Sequence, residues 1–370
     1  MIIFLWLVLF GVFAGSYATY FVYLKLHVSK SWGLNVDSQF CPHVTILVPA
    51  RNEERMIQTK LRNLTEVSYP KDKLEVILVD DASTDQTLAR AYDFAGKHPE
   101  LPIKILKQQH RIGKANALNK GLEISSNNIV VVTDADSVWP PDTLRKALPY
   151  MSDPTVGAIT GWGTSEDFGE SWVGRAEEGY LSLMLLLRLG ESKIHSTIRF
   201  EGCFCAFKRS AFDEFDSDSG ADDSGTALRV VQKGFRAILV PEVFAFSEVS
   251  SSLKARTRAK TRRAFHLTGL WLQCLWLLLK DRLLLPKRIA IPEMFLLIFN
   301  PIIFVVLTCV TFLLMVWYPV VVIPLILGFC VLSLIPTVRN YVIQGIMDQF
   351  ILFYSLILHM SKKKIIAWDK

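Results

Sequence analysis

The chain has 370 residues, 51% of them hydrophobic, with 41 Lys+Arg against 35 Asp+Glu for a net charge of +6. That mild basicity, with a single short basic run and no recognisable nucleic-acid module, excludes nucleic acid as the partner. The apolar excess sits near the two ends, and the length leaves room for one large domain and more.

Ile2 to Leu24 is uncharged and mostly apolar, which fits one transmembrane helix of about 20 residues. It lacks the basic start and short apolar core of a cleaved signal peptide. From His43 onward strand and helix patterns alternate. Val44–Val48 reads as a strand ending in Pro49, Glu53–Thr65 as a helix, and Leu74–Val79 as a strand ending at Asp80 and Asp81. Thr84–Gly96 is a predicted helix capped by Ser83 or Thr84. Ile103–Leu106 follows as a strand, Ala115–Ile124 as a helix, and Ile129–Thr133 as a strand running into Asp134 and Asp136. Such alternation predicts a parallel α/β sheet. Ligands of such sheets sit beyond the carboxyl ends of the strands. Pro49–Glu54, Asp80–Asp85 and Asp134–Asp136 should therefore converge. Two carboxylates aimed at one point require a counter-charge, from a metal ion, an Arg or Lys, or water.

The second half is less regular. Val156–Thr160 reads as a strand, Ser171–Leu189 as a helix, Phe200–Lys208 as a strand, Thr226–Lys233 as a helix and Ala237–Val240 as a strand. Lys254–Arg263 holds six basic residues in ten and leads into an aromatic-rich apolar stretch that predicts a helix at a membrane surface. Met294–Val338 carries no charge, and Pro319 near its middle predicts a helical hairpin. Tyr341–Met360 reads as a further span or an interfacial helix. Lys25, Lys30, Lys254–Arg263 and Lys362–Lys364 flank these segments, so the positive-inside rule places the middle region in the cytoplasm of a multi-pass cell-membrane protein. The sequon Asn63-Leu64-Thr65 should then go unused. Of six cysteines only Cys203 and Cys205 lie close together, without zinc spacing, and are predicted to be buried apolar residues.

Four stretches, VTILVPARNEE, VILVDDASTDQT, IGKANALNKGL and VVVTDADS, together with FEGCFCAFKRSAF and ADDSGTALRVVQKGFRAILVP, resemble the family 2 inverting glycosyltransferases over residues 43–265. The membrane segments resemble those of its poly-N-acetylglucosamine, hyaluronan and cellulose synthase branch. The resemblance implies an α/β GT-A (Rossmann-like) nucleotide-sugar domain with an N-terminal transmembrane helix and C-terminal interfacial or transmembrane helices. The boundaries it implies are an anchor at 1–28, a cytoplasmic GT-A domain at 40–250 and basic interfacial helices at 251–292. A transmembrane hairpin at 293–339 and a last helix with a basic tail at 340–370 complete the chain.

It also implies roles. Asp134 and Asp136 form a DxD motif for Mg²⁺ or Mn²⁺, Asp136 the more direct ligand. Asp81, with Pro49, Arg51 and Glu53, meets the nucleoside. Lys114, opening a helix, meets the pyrophosphate. Asp223 is the general base; alone, the Asp222-Asp223 pair would also suit a helix N-terminus electrostatically. Arg263 aligns with the arginine of a Gln-x-x-Arg-Trp motif whose Gln and Trp are replaced here by Lys260 and Ala264, and it contacts the diphosphate. A basic stripe on anionic lipid is the other reading of that run. The expected donor is a UDP-sugar and the expected acceptor a hydroxyl of a lipid-linked or polymeric glycan. The rivals are a polyprenyl-phosphate glycosyltransferase and an inactive membrane scaffold.

Overall fold

The computed structural model describes residues 1–165, 172–218, 221–247, 253–320, 323 and 334–361. It divides into two compact units. An α/β unit comprises Lys30–Glu166 and Arg188–Val249, and a helical unit comprises Met1–Ser29, Asp167–Leu187 and Ser250–Ile365.

The α/β unit is built on one eight-stranded sheet. In chain order its strands are β1 (Val44–Ala50), β2 (Leu74–Asp80), β3 (Ile103–Lys107), β4 (Ile129–Val132), β5 (Ser137–Val138), β6 (Val156–Thr164), β7 (Cys205–Lys208) and β8 (Arg236–Ser247). They lie in the order β3-β2-β1-β4-β7-β6-β8-β5. Strands β1 to β4 pair in parallel, as the alternation predicts. The sheet as a whole is mixed, because β7 runs antiparallel to β4 and β6, and β5 antiparallel to β8. Every residue of β1 is buried, as expected of a parallel strand covered on both faces. Val44, Ile46, Val48, Val76, Leu78 and Val131 join one core cluster with Ile57, Leu61 and Leu64 of the helix α2 (Ile57–Glu66).

The predicted strand Phe200–Lys208 is shortened to β7, because residues 201–204 curl into a turn closed by Phe204 N–H donating to the Glu201 carbonyl at 3.2 Å. The helix α3 (Thr87–Lys97) begins three residues after Thr84. Asp85 caps it by accepting from Thr87 N at 3.0 Å, while the Ser83 hydroxyl instead accepts from Asn52 N at 3.0 Å. Helix α4 (Lys114–Glu123) starts at Lys114, and α5 (Thr143–Ala147) precedes β6. Helix α6 (Trp172–Ile194) follows β6. Helix α7 (Asp222–Gln232) starts earlier than predicted, which puts Asp222 and Asp223 in its first turn.

The helical unit contains α1 (Ile2–Val28), α8 (Leu253–Leu279), α9 (Lys287–Met294), α10 (Asn300–Trp317) and α11 (Pro336–Met360). Among the described residues three segments, Ile2–Val28, Lys287–Trp317 and Val342–Met360, are long and apolar enough to cross a membrane. The second arm of the predicted hairpin and the Lys362–Lys364 tail lie outside the described residues. Polar side chains tie these helices together: Trp6 Nε1 donates to Thr311 Oγ1 at 2.8 Å, Asn300 Nδ2 to Ser16 Oγ at 3.1 Å, and Gln349 Nε2 to the Tyr17 hydroxyl at 2.8 Å. Such bonds between side chains fix the register of otherwise apolar helices. The basic run and the aromatic stretch after it form one continuous helix, α8.

Candidate active site

Because β1, β2 and β4 are parallel, Ala50, Asp80 and Val132 end at one edge of the sheet. The antiparallel β7 begins at that same edge, with Cys205 opposite Val132. Lys114 is the centre of what gathers there. Its Nζ lies 2.9 Å from Asp134 Oδ1, 3.2 Å from Asp222 Oδ2 and 3.2 Å from Asp223 Oδ2. Burial works to lower its pKa, but these three carboxylates outweigh burial and hold the ammonium well above its usual range. Asp223 is half-buried, its side chain 14% exposed, and desolvation first, then Asp222, pushes its pKa up to about 7 although Lys114 pulls the other way.

The turn before Lys114 is set by Asp81. Its two carboxylate oxygens accept from the backbone N–H of Ile112 at 2.8 Å and Gly113 at 3.0 Å. Gly113 stands at φ +93°, a conformation that disfavours any side chain. In this structure Asp81, which the resemblance would have meet the nucleoside, therefore braces the lysine's turn. Asp80, its neighbour, keeps a buried Oδ1 that accepts no hydrogen bond. Pro49 is buried in β1. Arg51 caps the loop by donating from Nη1 to the carbonyls of Asp81 at 2.6 Å and Ala82 at 2.9 Å. Glu53 N–H donates to Thr87 Oγ1 at 2.7 Å. Arg263 belongs to the helical unit, where it is exposed on α8.

Sequence reasoning missed the floor and the back wall. The floor is Gly202: a Cβ there would stand 2.4 Å from Lys114 Nζ and 2.8 Å from both Asp134 Oδ2 and Asp223 Oδ2. The wall is α2. Lys60, 1% exposed, donates to Thr133 Oγ1 at 2.6 Å and to the Ser137 carbonyl at 3.0 Å, bracketing the Asp134–Asp136 turn. Its Nζ lies 4.3 Å from the centre of the Trp139 ring. Burial lowers its pKa to about 7. One helical turn on, Asn63 donates to the Trp139 carbonyl and accepts from Trp139 N–H, both at 2.8 Å. The sequon asparagine is thus internal to the fold, whichever side of a membrane it occupies. The signal for Lys60 was present in the sequence: it falls on the stripe Ile57, Leu61, Leu64, where an apolar residue belongs.

Lys60→Met should lower unfolding stability by about 1–3 kcal/mol, since it orphans the buried Ser137 carbonyl. The deficit should widen above pH 7. Native Lys60 releases its proton near 7 and the unfolded chain near 10.5, so the wild type gains stability between those values. Unfolding of both proteins across that range measures the difference.

Four carboxylates, those of Asp134, Asp136, Asp222 and Asp223, share this edge with the Lys114 ammonium. Asp223 Oδ1 accepts no hydrogen bond, and Asp222 Oδ2 faces the Lys114 ammonium at 3.2 Å without one. This surplus of hard oxygen donors fits a divalent cation such as Mg²⁺ or Mn²⁺. Among the described residues no group of three or more His, Cys, Asp or Glu is arranged to hold a metal unaided. Cys203 and Cys205 are buried, and burial raises both thiols well above their usual range, so they remain protonated.

A mixed sheet that presents a DxD turn, a helix-opening lysine and a second acidic pair at one edge defines a GT-A glycosyltransferase. The Glycosyl transferase family 2 model matches residues 45–216. The mannosyltransferase PcManGT of Pyrobaculum calidifontis, solved with GDP-Man and Mn²⁺, is similar over 98% of this chain and 100% of its own, at 30% identity and a TM-score of 0.85. The beta-monoglucosyldiacylglycerol synthase of Synechocystis sp. is 39% identical over 118 residues, 32% of this chain and 25% of its own. The poly-beta-1,6-N-acetyl-D-glucosamine synthase of Staphylococcus aureus is 26% identical over 256 residues, 68% of this chain and 60% of its own. The chain thus spans less than two thirds of the length of these two curated relatives. It belongs to glycosyltransferase family 2.

Proposed function

We propose that this protein is a membrane-embedded inverting transferase that moves a hexosyl unit from a nucleoside diphosphate sugar to a hydroxyl of a lipid-linked or polymeric glycan. The observation that carries this reading is the meeting of Lys114 with Asp134, Asp222 and Asp223 at the carboxyl edge of the sheet. Asp134 and Asp136 would hold the divalent cation, which supplies charge neutralisation at the diphosphate. Lys114 would reach the same diphosphate oxygens, exchanging carboxylate partners for phosphate. Asp223 takes the proton of the acceptor hydroxyl while that oxygen attacks the anomeric carbon. The bond to the diphosphate breaks on the opposite face, its electron pair leaves with the nucleotide, and the configuration inverts. A phosphate acceptor would need no such base, so an Asp223 held near neutrality favours the hydroxyl.

GDP-mannose is the donor to try first, because the full-length structural likeness is to a protein that holds it, and UDP-sugars follow. Two relatives named for a glycolipid and a polysaccharide support the acceptor class. The exposed apolar side chains of α1, among them Phe4, Leu7, Val8 and Phe10, suit lipid rather than water. The basic residues of α8 would lie at the cytoplasmic headgroups, with the α/β unit in the cytoplasm.

The test is nucleoside diphosphate release by the purified full chain in nanodiscs with Mn²⁺ or Mg²⁺. GDP- and UDP-sugars are screened with glycolipid, glycan or polyprenyl phosphate as acceptor. Release stimulated by a hydroxyl acceptor is expected, and Asp136→Ala should lower it by about a hundred-fold or more, the several kcal/mol a catalytic metal supplies. Release that requires polyprenyl phosphate would replace this acceptor with a lipid phosphate. Full activity of Asp136→Ala would remove the metal assignment.

A further inference from the structure

Glu201 has no part in the chemistry above, yet the fold invests in it. Its Oε1 lies 2.8 Å from Nη1 of Arg188, which is 2% exposed, while its own side chain is 36% exposed. Its Oε2 accepts from Gly163 N–H at 2.6 Å. A solvated surface carboxylate needs no buried guanidinium behind it, and burying that cation costs several kcal/mol before its partner repays any of it. Support of this kind is how a functional group is fixed in advance of its ligand.

Its position indicates which ligand. Glu201 immediately precedes Gly202, and consecutive Cα atoms are about 3.8 Å apart. Gly202 is the floor against which Lys114, Asp134 and Asp223 converge. Gly163 closes the other side at the carboxyl end of β6. The Glu201 carboxylate therefore stands at the edge of the space between the diphosphate side of the site and the base, where the hexosyl ring must lie. A carboxylate offers about four lone-pair sites, and Arg188 and Gly163 account for two directions. An anion here repels phosphate, so the group it receives is neutral and donates hydrogen bonds: a sugar hydroxyl or a vicinal pair of them.

We propose that Glu201, held by Arg188 and the Gly163 amide, binds the hydroxyls of the transferred sugar and sets which sugar the enzyme accepts. This rests on the donor reading above. A hydrogen bond to a charged group contributes about 1.5–3 kcal/mol, a factor of about 10 to 100 in affinity.

The experiment is calorimetric binding of GDP and of GDP-mannose, with Mn²⁺, to the full chain as wild type and Glu201→Gln. Glu201→Gln should bind GDP within about two-fold of wild type and GDP-mannose about ten-fold or more weakly. If glutamine opposite a buried Arg188 prevents folding, Glu201→Gln combined with Arg188→Met removes both charges and should show the same selective loss. Unchanged GDP-mannose affinity overturns the proposal, including the case in which only the acceptor KM rises. A parallel loss of GDP and GDP-mannose overturns it as well, because Glu201 would then act through the phosphate site or the fold. A wild type that binds GDP but not GDP-mannose would instead count against the donor reading.

Discussion

Asp223→Asn will bind nucleotide close to wild type and lose about 10²- to 10⁴-fold in transfer, the usual contribution of a positioned base. The side chain is half-buried in the first turn of α7 with its Oδ2 3.2 Å from Lys114 Nζ. Asparagine keeps the shape and removes the proton acceptor. In the wild type, kcat/KM should rise with pH and reach half its limiting value near pH 7, since that ratio reports the free enzyme and the base works only when deprotonated. The variant's residual rate should lose that limb. A second consequence concerns stability. The native carboxyl keeps its proton up to about 7, whereas the unfolded chain releases it near 3.8, so the fold loses stability as pH rises between those values. Asp223→Asn should therefore unfold at a higher temperature than wild type at pH 8. A stable variant with full transfer activity would show that the acceptor needs no base and would bring the phosphate acceptor forward.

Gly202→Ala is expected to abolish most activity in a protein that still folds. The added methyl would stand 2.4 Å from Lys114 Nζ and 2.8 Å from the carboxylates of Asp134 and Asp223. No bonded arrangement tolerates those distances, so something must move. What moves first is the end of a long lysine side chain, which yields without unfolding the sheet. The three charges then spread apart, and displacement of about 1 Å in such a constellation costs about 10²-fold. Steady-state kinetics beside thermal unfolding measures the two effects separately. Wild-type turnover in Gly202→Ala would mean that the convergence on Lys114 is not the catalytic geometry.

Much of this was legible in the chain itself. Three of the four parallel strands, β1, β2 and β4, announce themselves as apolar runs because a strand buried on both faces has no polar side to hide the signal. The acidic clusters at their ends are placed by the handedness and direction of such a sheet, so Asp80, Asp81, Asp134 and Asp136 share an edge before any coordinates are known. Composition likewise marks α1 and α10, since about 20 uncharged apolar residues have few other homes.

What the sequence could not decide are contacts that depend on three-dimensional proximity without a local pattern. The reversal of β7 brings Gly202 beneath Lys114, 88 positions further along the chain, and a glycine in a strand-like run carries no sign of what presses on it. Lys60 and Asn63 look like one polar slip and one sequon on an amphipathic helix. Only packing against β4 and β5 turns them into the back wall of the Asp134–Asp136 turn. Asp81 reads as a ligand contact, and its bonds to the Ile112 and Gly113 amides are a further tie that no local pattern announces. Periodicity and composition report how each residue meets the bulk, apolar or wet. The charge balance of the site, one lysine among several carboxylates, exists only after the strands are laid side by side, because electrostatic interactions act through space and not along the chain.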